Sequence, residues 1–129
     1  MLNAMLEYLR ETWNIDESKI LLTGMSDGAT YSFLVGLQAD SPYTHIAALS
    51  GVLHPINMAN GNLQRAKDKP VYLVHGSKDW MFPIDTAHMA QLELTKAGAD
   101  LTYREIDDLG HTYAREENES ILEWFLRDN

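Results

Sequence analysis

Residues 21–29 read LLTGMSDGA and place Ser26 between two glycines, directly after an apolar run. The spacing from Gly24 to Gly28 matches G-x-S-x-G, the pattern of a nucleophile elbow. At such an elbow the serine lies at a strained corner between a strand and a helix, so a Cβ atom on either flanking residue is expected to clash. The bare pattern arises by composition in roughly one chain in twenty-five of this length. Its position between a strand and a helix therefore matters more than its letters.

The segments around this motif predict the strand and the helix that an elbow requires. Residues 19–23 (KILLT) form a short apolar run typical of a strand, and residues 29–37 (ATYSFLVGL) are typical of a helix. Three further strands are predicted at 45–51, 70–76 and 100–106, and three further helices at 2–13, 83–98 and 118–128. Strands that alternate with helices predict an α/β fold, with a parallel sheet of about four strands flanked by helices.

Two of the predicted helices carry further local signals. The helix over 83–98 is predicted to have Asp85 as its N-cap and Gly98 as the residue after its C-cap. The helix near the N-terminus is predicted to be amphipathic, with charged residues opposite an apolar face formed by Leu2, Leu6, Leu9 and Trp13.

Length and charge restrict the classes of function. A chain of 129 residues with 45% hydrophobic content is long enough for one globular domain, which we place at residues 1–129. Its net charge of −9 disfavours nucleic acid and anionic membranes as partners, because both are negatively charged. The absence of cysteine excludes thiol nucleophiles and disulfides, and is consistent with a reducing, cytoplasmic location. Glu7 and Arg10 interrupt the apolar N-terminal residues, so neither a signal peptide nor a membrane span is predicted there.

A nucleophilic serine needs a base and an acid that orients the base, and the chain offers both. Asp79 follows the predicted strand 70–76, and His111 follows the predicted strand 100–106. Open α/β sheets build their sites beyond the carboxyl ends of parallel strands, where Ser26, Asp79 and His111 all fall. The order Ser, Asp, His along the chain is that of an α/β-hydrolase. These three residues are the predicted nucleophile, acid and base.

Each of these assignments has a structural alternative. Ser26 is alternatively a serine of a tight turn, and His111 a surface histidine in a polar loop. Three other aspartates compete with Asp79 for the role of the acid. Of these, Asp85 is better explained as a helix cap, and the adjacent pair at 107–108 (Asp107, Asp108) as solvated charge.

The other histidines show no spacing typical of metal ligands, so neither a metal nor a cofactor is predicted. His75 ends a buried strand and His88 lies within a helical stripe, so both are interpreted as structural histidines with satisfied hydrogen bonds. His45 is given no role. His54, beyond the second strand, is a candidate for lining the substrate entrance.

Large apolar residues beside the predicted triad are candidates for the walls of a substrate pocket. Met25 precedes Ser26, while Trp80, Met81 and Phe82 directly follow Asp79. Apolar residues of this size are alternatively part of the core.

From about Lys19 onward the chain resembles the C-terminal half of an α/β-hydrolase of the carboxylesterase, phospholipase and dienelactone-hydrolase-like group. The resemblance is carried by GMSDG (24–28), HGSKDWMFP (75–83) and LGHTY (109–113). It implies that Ser26 is the nucleophile, Asp79 the acid and His111 the base. It also implies that the backbone N–H of Asp27 is one donor of the oxyanion hole.

The chain departs from the pattern of this family in front of the elbow. Full-length members have about four further strands there, and a loop among them supplies the second oxyanion donor, often from an HGGG-type motif. Here one short predicted helix precedes the elbow strand. Loss of one such donor typically costs a hundredfold or more in rate. We therefore expect a truncated fold with an oxyanion hole that is incomplete within one chain.

The resemblance implies a serine carboxylesterase that works through an acyl-enzyme intermediate. Residues 52–69 are too few for a lid domain, which favours short-chain soluble esters as substrates. Two alternatives stay open: a non-catalytic or half-enzyme subunit that needs a partner chain, and a thioesterase, acyltransferase or peptidase with the same triad. The elbow strand at 19–23 would be an unpaired sheet edge, so we expect a homo-oligomer, with a symmetric dimer as the default. The partner copy could then supply the second oxyanion donor.

Overall fold

A computed structural model describes residues 1–127 and contains one sheet of four parallel strands. The strands follow one another in chain order across the sheet, so that each pairs with the next. Their bounds are Leu21–Met25 (β1), His45–Leu49 (β2), Pro70–Gly76 (β3) and Asp100–Ile106 (β4). The predicted fold class, an α/β sheet of about four parallel strands flanked by helices, is confirmed.

Helices cover both faces of this sheet. They span Leu2–Thr12 (α1), Asp27–Gly36 (α2), Ile56–Ala59 (α3), Ile84–Lys96 (α4) and Asn118–Leu126 (α5). Short 3-10 helices lie at Asn62–Ala66 and Arg115–Glu117. The last residue of the helix predicted at 118–128 lies outside the described residues. Within residues 1–127, no helix combines the length and the apolar character needed to cross a bilayer.

The register of the strands explains why the core has two layers. Leu22 lies beside Ile46, Ile46 beside Val71, and Val71 beside Leu101. Because alternate residues of a strand point to opposite faces, Ile46 and Val71 pack with α2 and α4, through side chains such as Phe33. The opposite face packs against α5 through a second cluster, which includes Ala47, Leu49, Tyr72, Val74 and Trp124. Strand β2, one of the two central strands, is consequently buried at all of its positions.

Helix α1 packs through a narrower face than its sequence pattern predicts. Leu6 is buried against Ile20 and Tyr43, but Leu9 is 42% exposed and Trp13 is 67% exposed. The helix ends at Thr12, and Trp13 has an extended backbone that takes its side chain away from the helical stripe. Of the predicted apolar face, Leu6 is buried, whereas Leu9 and Trp13 are exposed and Trp13 lies beyond the end of the helix.

The structure agrees with the predicted C-terminal end of helix α4 but not with its predicted N-cap residue. The helix begins at Ile84 with Pro83 in the N-cap position, and Thr86 donates its hydroxyl to the carbonyl of Pro83. Asp85 lies inside the first turn rather than at the cap, where its charge still suits the helix dipole. Gly98 follows the C-cap residue with a φ of +86°, as predicted for a helix that ends in a left-handed residue.

Candidate active site

Ser26 lies at the corner between β1 and α2, in a backbone conformation that serine rarely adopts. Its φ of 58° and ψ of −120° place it in a strained region, which costs on the order of 1–3 kcal/mol. The surrounding backbone holds this conformation. The N–H of Ser26 donates to the carbonyl of Leu49 at 2.9 Å, and its carbonyl accepts from the N–H groups of Ala29 and Thr30 at 3.0 and 3.1 Å. The corner therefore projects the hydroxyl beyond the carboxyl end of β1.

The two glycines of the motif differ in whether a side chain would fit at their positions. A Cβ atom on Gly24 would lie 2.4 Å from the carbonyl carbon of Gly28, which is too close for any side chain. A Cβ atom on Gly28 would meet nothing within 4 Å. The expectation that both flanking residues would clash is thus wrong for Gly28. Of the two positions, Gly24 is therefore the one at which the close approach requires glycine.

His111 lies within hydrogen-bond distance of Ser26, although 85 residues separate them along the chain. His111 Nε2 is 3.0 Å from Ser26 Oγ. The loop that carries His111 is held near the end of β3, where the N–H of Lys78 donates to the carbonyl of Leu109 at 2.9 Å. A Cβ atom on Gly76 would lie 2.2 Å from that same carbonyl oxygen, so the close approach requires glycine there.

Asp79 lies on the loop after β3 with both carboxylate oxygens hydrogen bonded. Oδ2 is 2.8 Å from Nδ1 of His111, and Oδ1 accepts from the N–H groups of Met81 at 2.9 Å and Phe82 at 2.8 Å. Burial by itself would raise the pKa of this carboxyl group. The hydrogen bond from His111 and those from Phe82 and Met81 outweigh burial, and they lower the pKa of Asp79 below its ordinary value. Asp79 is thus held as a carboxylate.

The competing aspartates lie elsewhere. Asp108 pairs with Lys78 at 2.6 Å on the surface, and both side chains are largely exposed. Asp107 and Asp85 are also exposed. Asp79 is therefore the aspartate that the structure brings to His111.

The hydrogen bonds around His111 assign the roles of its two ring nitrogens. A carboxylate only accepts hydrogen bonds, so Nδ1 carries the proton that it donates to Asp79. Nε2 is then the acceptor and faces the hydroxyl of Ser26. An imidazole in this tautomer can take a proton from the hydroxyl and pass it on to a leaving group.

The N–H of Asp27 lies next to the hydroxyl of Ser26 along the chain. It is the first N–H of α2, and the first N–H groups of a helix have no acceptor within the helix. The N–H of Ser26 itself is already bonded to Leu49. The side chain of Asp27 is exposed, so the backbone rather than the carboxylate is what Asp27 can offer to a reacting group.

The five residues predicted to line a substrate pocket lie in different environments. Met25 is half-buried and packs into the cluster on the α5 face of the sheet. His54 is exposed, and its Nδ1 accepts the N–H of Ile56 within a local turn. Met81 is also exposed, with its N–H bonded to Asp79. Trp80, which is 72% exposed, presents its ring edge-on to His111 at 5.7 Å, and the ring of Phe82 does so at 5.4 Å.

An apolar groove of about 370 Å³ lies between the segment after β2 and the start of α4, with Val52, Leu53 and Met89 among its lining residues. One wall begins at Val52, directly after Gly51, which packs against the carbonyl of Ser26. The other wall begins at Asp85, a few residues after Phe82, whose ring packs against His111. A larger groove of about 520 Å³ lies beside the C-terminal end of α4. Helix α4 runs antiparallel to the strands, so that larger groove lies at the amino ends of the strands, whereas Ser26 lies at their carboxyl ends.

Known proteins support the relation that these motifs predict. A sequence model described as Phospholipase/Carboxylesterase matches residues 1–127. The chain belongs to this family. The match includes α1, so it begins earlier than the resemblance found from Lys19 onward. A comparison with curated proteins gives no significant match.

Solved structures of this fold are longer than the chain. Esterase PE8 is similar with a TM-score of 0.77 and 26% identity, over 95% of this chain and 56% of that chain. An acylaminoacyl peptidase from Pyrococcus horikoshii gives a TM-score of 0.81 and 17% identity, over 98% of this chain and 27% of its own. Acyl-protein thioesterase 2 from Zea mays gives 0.65 and 22%, over 79% of this chain and 52% of its own. The chain thus spans about half, or less, of the length of these three proteins.

Two residues that the sequence did not point to, Ser50 and Gly51, form a tight turn directly behind Ser26. Ser50 has a φ of 55° and Gly51 lies directly behind Ser26, where a Cβ atom would come within 2.8 Å of the Ser26 carbonyl oxygen. The Ser-Gly pair after β2 is the signal that could have revealed this tight turn.

The histidines that do not contact Ser26 differ in environment. His88 is exposed and pairs with Glu105 at 2.7 Å, whereas Nδ1 of His45 contacts the hydroxyl of Thr44. His75 is fully buried, but its Nδ1 has no hydrogen-bond partner, so the prediction of a satisfied structural histidine is wrong for His75. Among the described residues, no group of three or more histidine, aspartate or glutamate side chains is arranged to hold a metal ion.

Proposed function

We propose that this chain carries the catalytic machinery of a serine carboxylesterase, with Ser26 as nucleophile, His111 as base and Asp79 as acid. The observation that carries the proposal is the continuous hydrogen-bonded array from Ser26 Oγ to His111 Nε2 at 3.0 Å, and from His111 Nδ1 to Asp79 Oδ2 at 2.8 Å. Membership of the phospholipase/carboxylesterase family and the likeness to esterase PE8 support the same reaction class.

In this mechanism His111 removes the proton of the Ser26 hydroxyl as Oγ attacks the carbonyl carbon of the ester. The tetrahedral intermediate collapses, and the leaving alcohol takes that proton from His111, which yields an acyl-enzyme. A water molecule activated by His111 then releases the acid and restores Ser26. Asp79 keeps the imidazole in the required tautomer and stabilises the imidazolium ion. The N–H of Asp27 donates to the developing oxyanion.

The surroundings of Ser26 favour short-chain, water-soluble esters as substrates. Ser26 and His111 are half-buried and Trp80 beside them is largely exposed, so the site lies close to the surface. The segment between β2 and β3 folds into α3 and a 3-10 helix, and its Ala66 is buried in the core on the α2 face. The apolar groove beside Val52 has a volume of about 370 Å³, at the small end of the range of ligand pockets.

A fluorophosphonate probe on the purified chain tests the nucleophile directly. We expect the probe to label Ser26, and we expect Ser26→Ala to lose labelling and to lower turnover of p-nitrophenyl acetate by at least about a thousandfold. Ser18→Ala is the matched control, because Ser18 is exposed on the connection before β1. Equal labelling of the Ser26→Ala variant and the wild type would refute the assignment.

Two alternative functions remain as outcomes of the same experiment. The chain spans only about half of esterase PE8, which favours a half-enzyme if labelling appears only after an upstream partner chain is added. The other similar proteins include a peptidase and a thioesterase. A panel of p-nitrophenyl esters, thioesters and amides separates these reactions, and we expect the esters to be cleaved fastest.

We further propose that two copies of the chain associate along the β1 edge. Among residues 1–127, β1 pairs with β2 alone, which leaves one side of its backbone without a strand. Helix α1 packs beside this strand through Leu6 and exposes Met5 and Tyr8. A second copy would cover both features. Its loops would also bring further backbone N–H groups towards Ser26, one of which could be the second oxyanion donor.

A further inference from the structure

We propose that His75 is a positioning residue for the catalytic acid, acting on Asp79 through the backbone of Phe82. The inference rests on the proposed function, because it assigns a role within the same site. His75 lies near the end of β3, four residues before Asp79, and none of its surface is exposed. The reaction described above makes no use of it.

The contacts of His75 are concentrated on one ring nitrogen. Nε2 is 2.7 Å from the carbonyl oxygen of Phe82 and 3.5 Å from Oδ2 of Asp79. Both of these atoms only accept hydrogen bonds, so Nε2 carries the proton. Nδ1 is then an unprotonated acceptor, and it has no partner.

Phe82 connects His75 to the acid. Its carbonyl accepts from His75 Nε2, while its N–H donates to Oδ1 of Asp79 at 2.8 Å. The peptide segment at Phe82 is therefore fixed from both sides. This fixes one carboxylate oxygen and leaves Oδ2 directed at His111. His75 thus sets the direction in which Asp79 faces the base.

Packing alone does not require an imidazole at this position, because leucine would fill a similar volume. The feature that histidine adds is the donor at Nε2, which reaches Phe82 and the edge of Asp79.

The tautomer of His75 is the first test, and it needs no substitution. In long-range ¹H–¹⁵N NMR spectra of the wild-type chain at neutral pH, we expect a protonated Nε2 and an unprotonated Nδ1 for His75. The opposite tautomer would place the proton on the nitrogen without a partner and would overturn the proposal.

Two amide substitutions then separate positioning from packing. The amide group of His75→Gln reaches the position of Nε2, whereas that of His75→Asn ends near Nδ1 and leaves Phe82 without its donor. We expect His75→Asn to lower kcat on the order of ten- to a hundredfold, with KM changed less than about twofold, because small displacements of catalytic groups are costly. We expect His75→Gln to retain most of kcat. The downfield ¹H resonance of His111 Nδ1–H should be lost in His75→Asn and kept in His75→Gln.

His45→Asn is the matched control. His45 is also buried, but it lies at the start of β2, at the end of the strands opposite to Ser26. This variant should lower the melting temperature without changing kcat or the His111 resonance. Equal kcat and an unchanged resonance in both His75 variants would overturn the proposal, as would equal losses in both. A wild-type chain that no fluorophosphonate labels would instead refute the proposed function. The His111 resonance would still report whether His75 positions Asp79.

Discussion

The carboxylate of Asp79 shows how single residues of this site combine burial with charge. Only 6% of the residue is exposed, yet both oxygens accept hydrogen bonds from its surroundings. Burial opposes ionisation, but the donors on His111, Phe82 and Met81 outweigh it, so the pKa of Asp79 lies below its ordinary value. A buried carboxylate in this state can orient an imidazole without taking its proton.

The lowered pKa of Asp79 predicts a dependence of stability on pH. As the pH falls, the unfolded chain takes up the proton on Asp79 before the folded chain does. The stabilisation from this group is fully present above the unfolded-state pKa of about 3.9, and it is lost as the pH falls through the folded-state pKa. We expect the free energy of unfolding of the wild type, relative to Asp79→Asn, to decrease as the pH falls below about 5 in urea titrations. A relative stability that stays constant over this range would contradict the prediction.

At the scale of elements, the joint between β1 and α2 decides where Ser26 lies. The strand ends at Met25 and the helix begins at Asp27, so the turn between them consists of one residue. Such a turn is possible because the backbones at Gly24 and Gly28 approach closely, and because Leu49 of the neighbouring strand accepts the N–H of Ser26. The position of the Ser26 hydroxyl therefore depends on two strands and a helix together.

The asymmetry of the two glycines is testable at this joint. In Gly24→Ala the new Cβ meets backbone atoms that cannot move freely, so we expect a loss of about 1–3 kcal/mol in stability and slower fluorophosphonate labelling. Gly28→Ala places its Cβ in open space near the start of a helix, where alanine is favoured over glycine by up to about 1 kcal/mol. We expect that variant to keep the stability of the wild type or to gain slightly, as measured by urea unfolding. Equal losses in both variants would show that the predicted close approach is not decisive.

At the scale of the whole molecule, the sheet has two edges in the described residues. Strands β2 and β3 have neighbours on both sides, whereas β1 and β4 each pair on one side. Helix α1, which carries the exposed residues Met5 and Tyr8, packs beside β1 through Leu6. Unpaired backbone together with exposed apolar side chains favours association.

Association along this edge predicts a dimer in solution. We expect light scattering at micromolar concentration to give twice the mass of one chain, and the double substitution Met5→Lys and Tyr8→Lys to shift the equilibrium towards monomer by adding charge to the interface. Leu122→Lys is the matched control, because Leu122 is equally exposed but lies on α5. A monodisperse monomer of the wild-type chain at the same concentration would exclude the dimer.

The sequence by itself determined the order and type of the main elements. The apolar runs, the Gly-rich elbow and the alternation of strands with helices depend on neighbours within a few residues, so they can be read from local patterns. The carboxyl ends of the strands are also a consequence of this alternation, which is why Ser26, Asp79 and His111 were expected at one edge of the sheet.

The tertiary structure alone decided the features that depend on contacts between distant segments. The 2.8 Å contact between Asp79 and His111 follows from loops that pack across the ends of β3 and β4. The exposure of Trp13 follows from where α1 ends, and the half-paired state of His75 follows from the path of the chain at Phe82. Local patterns do not encode such contacts, because they arise only when the sheet brings together residues that are far apart in the chain, as with the 85 positions between Ser26 and His111.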